Sequence, residues 1–430
     1  MEHNLTIHKL IHGGKGLGTL ADGIKVMVAG VLPGETVTVR ETKVHRGHKE
    51  AELLRIELPS PERVEPPCPY YGRCGGCNLQ HASYGTQLAS KRQVLLESLH
   101  RGRIDLHDDQ CRPTLPSPQP LGHRHRIRLH VDSDGRVGFH QATSNTVVPI
   151  RRCLLATEAI NGALEGLVDA ELNEPLQGII AGIELLHSPA DDRIVLLLHP
   201  AAEAKPAQLK PLPALLAPLA DVVLVAAQRG RKQQPQPEAI LSQQFSFFDH
   251  NYQLNWESGC FFQVNVQQNR QLIATALHDL EMPAPCIALD LFCGMGNFSI
   301  PLALRGASVT GIEHNQRSIH WAGRNAVEAG LTSCRFHIGD VEAQLRQMVK
   351  RRARFDIILL DPPRQGLGKA AALLPELAPR QIVAISCDPA TQARDLGQII
   401  AGGYHLRHIT PVDMFPQTHH IESVALLERN

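Results

Sequence analysis

The sequence predicts an α/β protein. Its C-terminal part is a doubly wound, mostly parallel sheet with helices on both faces, preceded by a small β-barrel and a central α+β region. Three observations lead there. From about residue 260, apolar strands alternate with helical stretches: "CIALDLF", "SVTGIEH", "FDIILLD" and "QIVAISC" are strands, and "QRSIHWAGRNAVEAG" is one of the helices between them. The first stretch of the chain holds several short β-rich runs broken by turns. Between the two lies a region that opens on clustered cysteines and continues with mixed helix and strand signals.

The chain has 430 residues, enough for two or three domains with cores of their own. Apolar residues make up 43%, a normal globular share. The formal net charge is zero, so any nucleic-acid surface must come from local basic clusters, with the 23 histidines as a reserve of positive charge below neutral pH. No stretch is apolar enough to span a membrane, and "MEHNLTIHKLIHGG" lacks a signal-peptide core, so a cytoplasmic protein is expected; a monomer is expected as well, with no sequence feature that fixes it. The ten cysteines are then reduced, and clustered ones point to metal binding or catalysis.

Residues 1–60 carry the barrel strands in "LTIHKL", "IKVMVAGV", "ETVTVRETKV" and "EAELLRIEL", separated by the turn-rich "HGGKGLGTLADG" and "LPGE". "LPSPERVEPP" reads as a linker. Residues 61–250 form the central region. A helix is predicted over "YGTQLASKRQVLLESLH", strands over "RHRIRLHVD", "GRVGFHQ", "TVVPI", "IVLLLHP" and "VVLVAAQ", and a short helix over "ALLAPLA". Residues 251–430 hold the parallel sheet.

Ligands of such sheets bind at the carboxyl ends of the strands. Asp290, Glu313, Asp361 and Cys387 are each predicted near such an end, and Asp340 in "HIGD" near another. After Asp290 comes a tight turn with Gly294 and Gly296, but Ser299 stands where a third glycine of the dinucleotide fingerprint belongs. A pocket rich in acids repels a phosphate and suits a cationic adenosine ligand such as S-adenosylmethionine. The plain alternative is that these acids cap helix N-termini.

Cys68, Cys74 and Cys77 stand in "CPYYGRCGGC", a C-x5-C-x2-C run on a glycine-rich loop. Three thiolates there can wrap a metal centre, with Cys153 in "PIRRCLLA" as the fourth ligand and Cys111 as the alternative. Iron–sulfur clusters and zinc both take four thiolates, and the spacing favours neither. The basic runs "HRHRIRLH" and "KRRARF" are either phosphate contacts or solvated faces.

These motifs together resemble the RNA uracil-5-methyltransferases, in particular the bacterial 23S rRNA enzymes with an iron–sulfur cluster, over nearly the whole chain. "FFQVN", "DLFCGMGNF", "GIEHN", "LLDPPRQG", "SCDPATQARDL" and "DMFPQTHHIESVALL" look like the family's methyltransferase motifs in order. The resemblance implies a Rossmann-like catalytic domain, an N-terminal OB-like TRAM barrel that binds RNA, and a [4Fe–4S] cluster on Cys68, Cys74, Cys77 and Cys153. It implies S-adenosylmethionine contacts at Gln263, Phe292, Asn297, Glu313, Asp340 and Asp361, a nucleophile at Cys387 and a general base at Glu422. The chain departs from the family at Asp388, where an Asn is common. An acid beside the nucleophile is expected to raise the thiol pKa unless it points away.

The implied activity is methylation of carbon 5 of a uridine in 23S rRNA through a Cys387–uracil adduct. A tRNA uracil-5-methyltransferase is the alternative among enzymes; the barrel and cysteines argue against it, because the resembling bacterial tRNA enzymes usually lack both. A non-catalytic RNA-binding relative is the alternative from another class, with Asp388 as its sign.

Overall fold

The computed structural model describes residues 1–107, 109–226 and 239–430. The strands Glu2–Leu10, Gly16–Thr19, Lys25–Val28, Thr36–His45 and His48–Leu58 close into a barrel. Its core takes alternate residues of each strand, among them Leu5, Ile7, Val26, Val28, Val37 and Val39. Gly18 has to be small: a Cβ there would lie 2.1 Å from Leu5 Cδ1. The segment read as a linker is fastened to this barrel. Arg63 Nε donates to Glu35 Oε1 (2.6 Å) and Nη2 to Oε2 (2.8 Å), and Glu35 is fully buried. A charge so buried persists only when paired.

The central sheet has six strands in the order Val222–Val225, Arg193–Pro200, Ile180–Ser188, Arg126–Val131, Val137–His140 and Val147–Pro149. All five strands expected here form; the last two residues of "VVLVAAQ" lie outside the described residues. Strand Ile180–Ser188 and helix Glu158–Asp169 are additions to the sequence reading. The strand is buried almost end to end, so it shows no alternation that would announce it. The run "HRHRIRLH" is only partly solvated: His123 is buried and Arg126 pairs with Glu184, while Arg128 stays exposed beside the same carboxylate.

The C-terminal sheet has seven strands in the order Cys334–Ile338, Ala307–Glu313, Cys286–Leu291, Ile357–Leu360, Gln381–Ser386, Glu422–Arg429 and Tyr404–Val412. All neighbours are parallel except Glu422–Arg429, which runs antiparallel to both of its own. The hairpin Ile240–Phe247 and His250–Glu257 packs Phe245, Tyr252 and Leu254 against one face. Helix Tyr84–Arg101, expected in the central region, inserts Leu95 and Leu99 into the core on the other face, with Leu396, Ile399 and Ile409. Residues near 111–115 follow it, bridging in parallel to the edge strand at Cys111↔Ile409 and Leu115↔Val412.

Candidate active site and cysteine site

The parallel register brings the strand ends to one edge. Glu313 ends its strand, Asp361 follows Leu360 and Cys387 follows Ser386. Phe292, Gly294 and Gly296 all have positive φ (62°, 53° and 96°), which bends the chain sharply after Leu291. Glu313 holds that bend. Its Oε2 accepts from the Gly294 N–H (3.2 Å) and its Oε1 from the Asn315 N–H (2.7 Å). Asp290 is fully buried and takes a hydrogen bond from Ser299 Oγ (2.5 Å). Burial pushes its carboxyl up to about 7 against that bond, with Asp361 and Glu313 adding to the rise. The serine that breaks the dinucleotide fingerprint therefore secures Asp290 beneath the turn.

The other expected cofactor residues divide. Gln263 is buried just before helix Val266–His278. Asn297 lies in the glycine turn, its amide in a reciprocal pair with Asn269 (2.9 and 3.1 Å). Asp340 is exposed and caps helix Val341–Lys350, accepting from the Ala343 N–H (2.9 Å). For Asp340 the capping alternative describes at least one of its oxygens.

Cys387 and Glu422 lie at the same end of an antiparallel pair. The ladder runs Ile385↔Val424 and Ser386↔Ser423 and stops there; Cys387 follows Ser386 and Glu422 precedes Ser423. Burial pushes the Cys387 thiol up to about 11; Glu422 and Asp361 add to this and Arg364 opposes it. Burial also raises the Glu422 carboxyl well above the carboxylate range, helped by Asp361 and opposed by Arg364. Asp388 does not contribute to the Cys387 rise in the way expected. Its Oδ1 accepts from the Ala390 (3.0 Å) and Thr391 (2.8 Å) N–H groups and caps helix Pro389–Ala401, with Pro389 at its first position.

Cys68, Cys74, Cys77 and Cys153 line one cavity of about 90 Å³, together with Arg124, Tyr71 and Gln80. Cys111 lies elsewhere, buried in the core of the C-terminal sheet, which removes it as the alternative ligand. Four thiolates around one cavity suit either tetrahedral zinc or an iron–sulfur cluster. Gly75 lets this loop approach its neighbour: a Cβ would lie 2.9 Å from the Ala142 backbone.

Several supporting residues had no sequence signal, among them Asn269 and Arg364. Nor did the buried ion pair of Lys91 Nζ with Asp413 Oδ1 (2.5 Å), in which Tyr84 OH donates to Asp413 Oδ2 (2.8 Å).

The family described as tRNA (Uracil-5-)-methyltransferase matches residues 122–430. The chain belongs to this family. It is an RNA methyltransferase. It is 35% identical over 435 aligned positions to a 23S rRNA (uracil(1939)-C(5))-methyltransferase of Pseudomonas aeruginosa, covering 99% of this chain and 94% of that one. A Shewanella halifaxensis protein of the same name is 34% identical, with 99% and 95% covered. Among solved structures, the Pyrococcus abyssi tRNA (uracil-54, C5)-methyltransferase in complex with S-adenosyl-L-homocysteine superposes with a TM-score of 0.75 at 25% identity, covering 99% of both chains. The methyltransferase fold preceded by a small barrel is thus shared. Because that tRNA enzyme matches over its full length, the barrel by itself does not separate rRNA from tRNA enzymes.

Proposed function

We propose that the protein methylates carbon 5 of a uridine in 23S rRNA, taking the methyl group from S-adenosylmethionine and passing through a covalent adduct at Cys387. What supports this reading is that Cys387 follows the last ladder step Ser386↔Ser423 beside Glu422, whose carboxyl raises the Cys387 thiol, at the edge where Glu313 ends its strand and Asp361 follows another. A sulfonium gains from such an edge, and a phosphate would not. Glu313, Asp361, Gln263, Phe292 and Asn297 are the residues proposed to hold the donor, with Asp340 at the margin.

In this reading the Cys387 thiolate adds to carbon 6 of the uracil and makes carbon 5 nucleophilic. Carbon 5 takes the methyl group, and the sulfonium leaves as a neutral thioether. Glu422, ionised by then, removes the carbon-5 proton. The electron pair re-forms the 5,6 double bond and expels the thiolate. The cationic donor offsets the burial and the Asp361 charge that raise the Glu422 carboxyl in the free protein. The target base leaves its stack to reach this edge.

Cys68, Cys74, Cys77 and Cys153 would hold a [4Fe–4S] cluster, which supplies a rigid cross-link of loops and no redox step. The first 60 or so residues act as a TRAM-like, OB-like barrel that binds RNA, residues 61–250 as the unit around the cysteine site and 251–430 as the Rossmann-like catalytic unit. The protein works as a cytoplasmic monomer. A methyl-transfer assay on unmodified 23S rRNA and tRNA, with the modified nucleotide mapped, tests the reading. Methyl incorporation at carbon 5 of one 23S uridine supports it; incorporation into tRNA alone, or into no RNA, overturns it.

A further inference from the structure

Three distant segments meet at one amide. Asn78 directly follows Cys77 in the cysteine loop. Its Nδ2 donates to the Gly13 carbonyl of the barrel (3.0 Å) and to His419 Nδ1 (3.0 Å), and its Oδ1 accepts from the His419 N–H (3.0 Å). The junction has no slack. A Cβ on Gly14 would lie 2.5 Å from Asn78 Nδ2 and 3.1 Å from His419 Cβ. His419 belongs to the stretch 413–421, which joins strand Tyr404–Val412 to Glu422.

A second set of bonds holds the same stretch. Gln417 has φ of 68°, a conformation that persists in a non-glycine residue only when its surroundings over-determine it. Its carbonyl accepts from the N–H groups of Asn78 (3.2 Å) and Leu79 (3.1 Å). Its N–H donates to Gln87 Oε1 (2.9 Å), and its Oε1 accepts from Gln87 Nε2 (3.0 Å). Both the backbone and the side chain of Gln417 are therefore set by residues 78–87.

We propose that Asn78 is a positioning residue that ties the stretch 413–421, and through it Glu422, to the cysteine loop and the barrel at once. The proposal rests on the reading of Glu422 as the base. The cysteine site then acts on catalysis through geometry: whatever fixes Cys77 fixes Asn78, and Asn78 fixes the approach to Glu422. The methyl-donor turn at 292–297 is not part of this chain of contacts.

The test uses full-length Asn78→Ala and Gly14→Ala with the cysteine site loaded. Expected in both are iron content equal to wild type, S-adenosylmethionine affinity within about twofold, and kcat for methyl transfer down by about tenfold or more, since two or three hydrogen bonds are lost. Hydrogen–deuterium exchange should show protection lost selectively over 413–421. Wild-type protection there, or loss spread across the whole chain, overturns the proposal. The exchange arm needs no turnover. A wild type inactive on every RNA would remove the uracil reading while this arm still judges Asn78.

Discussion

Ser386 and Ser423 form the last step of an antiparallel ladder that also runs through Ile385↔Val424, and Cys387 and Glu422 are the residues next to them at that end. Cys387→Ala is expected to abolish methyl transfer and leave S-adenosylmethionine binding intact. Glu422→Gln lets addition and methylation proceed but not proton removal, so protein accumulates covalently on RNA. A denaturing gel reads both. An adduct surviving in Cys387→Ala would reassign the nucleophile, and rapid full turnover by Glu422→Gln would pass the base to His419 or His420.

The raised thiol gives a pH signature. Burial, Glu422 and Asp361 push Cys387 up to about 11, so the free protein holds a neutral thiol at pH 8. Peptide-level labelling of Cys387 by iodoacetamide should keep rising between pH 8 and 10, whereas an ordinary thiol with pKa near 8.5 levels off by about pH 9.5. Glu422→Gln removes one cause of the rise and should speed labelling at pH 8. Equal rates in the two proteins would show that the carboxylate does not reach the sulfur.

Glu313→Ala and Asp361→Ala should each weaken S-adenosylmethionine binding by about tenfold or more, the size of one lost charge-assisted hydrogen bond. For Glu313 part of the loss is indirect, because it also holds the Gly294 and Asn315 N–H groups. Calorimetry separates the two. Wild-type affinity in both variants would move the donor elsewhere.

Anaerobically purified protein is expected to carry about four irons per chain, as a four-iron cluster requires. Cys153→Ser should lose most of them, and Cys111→Ser, altered in a core far from the cavity, should keep them. Stoichiometric zinc without iron would overturn the cluster assignment.

The barrel has an acid-sensitive anchor in Glu35. Burial opposes its ionisation, but Arg63 and the Leu32 and Ser60 N–H groups outweigh burial and bring its pKa below the ordinary 4.5. A lowered folded-state value means the stabilisation is complete above pH 4.5 and disappears as pH falls through the folded value. Protection factors of the barrel amides, corrected for the intrinsic exchange rate, should fall in wild type as the pH drops below 4.5. Glu35→Gln should exchange faster at pH 7 and respond less to acid.

Much of the catalytic edge was legible because its grammar is local. A buried run that ends in Asp, Glu or Cys before a helix marks the strand's end, and strands do end at Glu313 and just before Asp361 and Cys387. The role of Asp388 is also local: Asp followed by Pro at a helix start is a capping signal, and its Oδ1 accepts from the Ala390 and Thr391 N–H groups. Strand Ile180–Ser188 was missed because burial on both faces removes the period of two. Helix Tyr84–Arg101 was found but not placed, since its pattern shows which side is apolar and not what covers it. Pairs such as Asn78 with His419 and Lys91 with Asp413 join residues more than 300 positions apart, and a single sequence carries no sign of them.

The helix Tyr84–Arg101 separates the recognisable part of the chain from the part that can stand alone. A fragment starting at residue 122 would keep Cys387, Glu422 and every methyltransferase motif. It would also bare the apolar patch that Leu95, Leu99 and Cys111 cover. Asp413 would lose Lys91 and Tyr84, and an unpaired buried charge costs about 3–5 kcal/mol. Such an excised piece should precipitate or refold poorly despite an intact set of reactive groups, and adding back residues 78–117 as a separate peptide should restore its solubility.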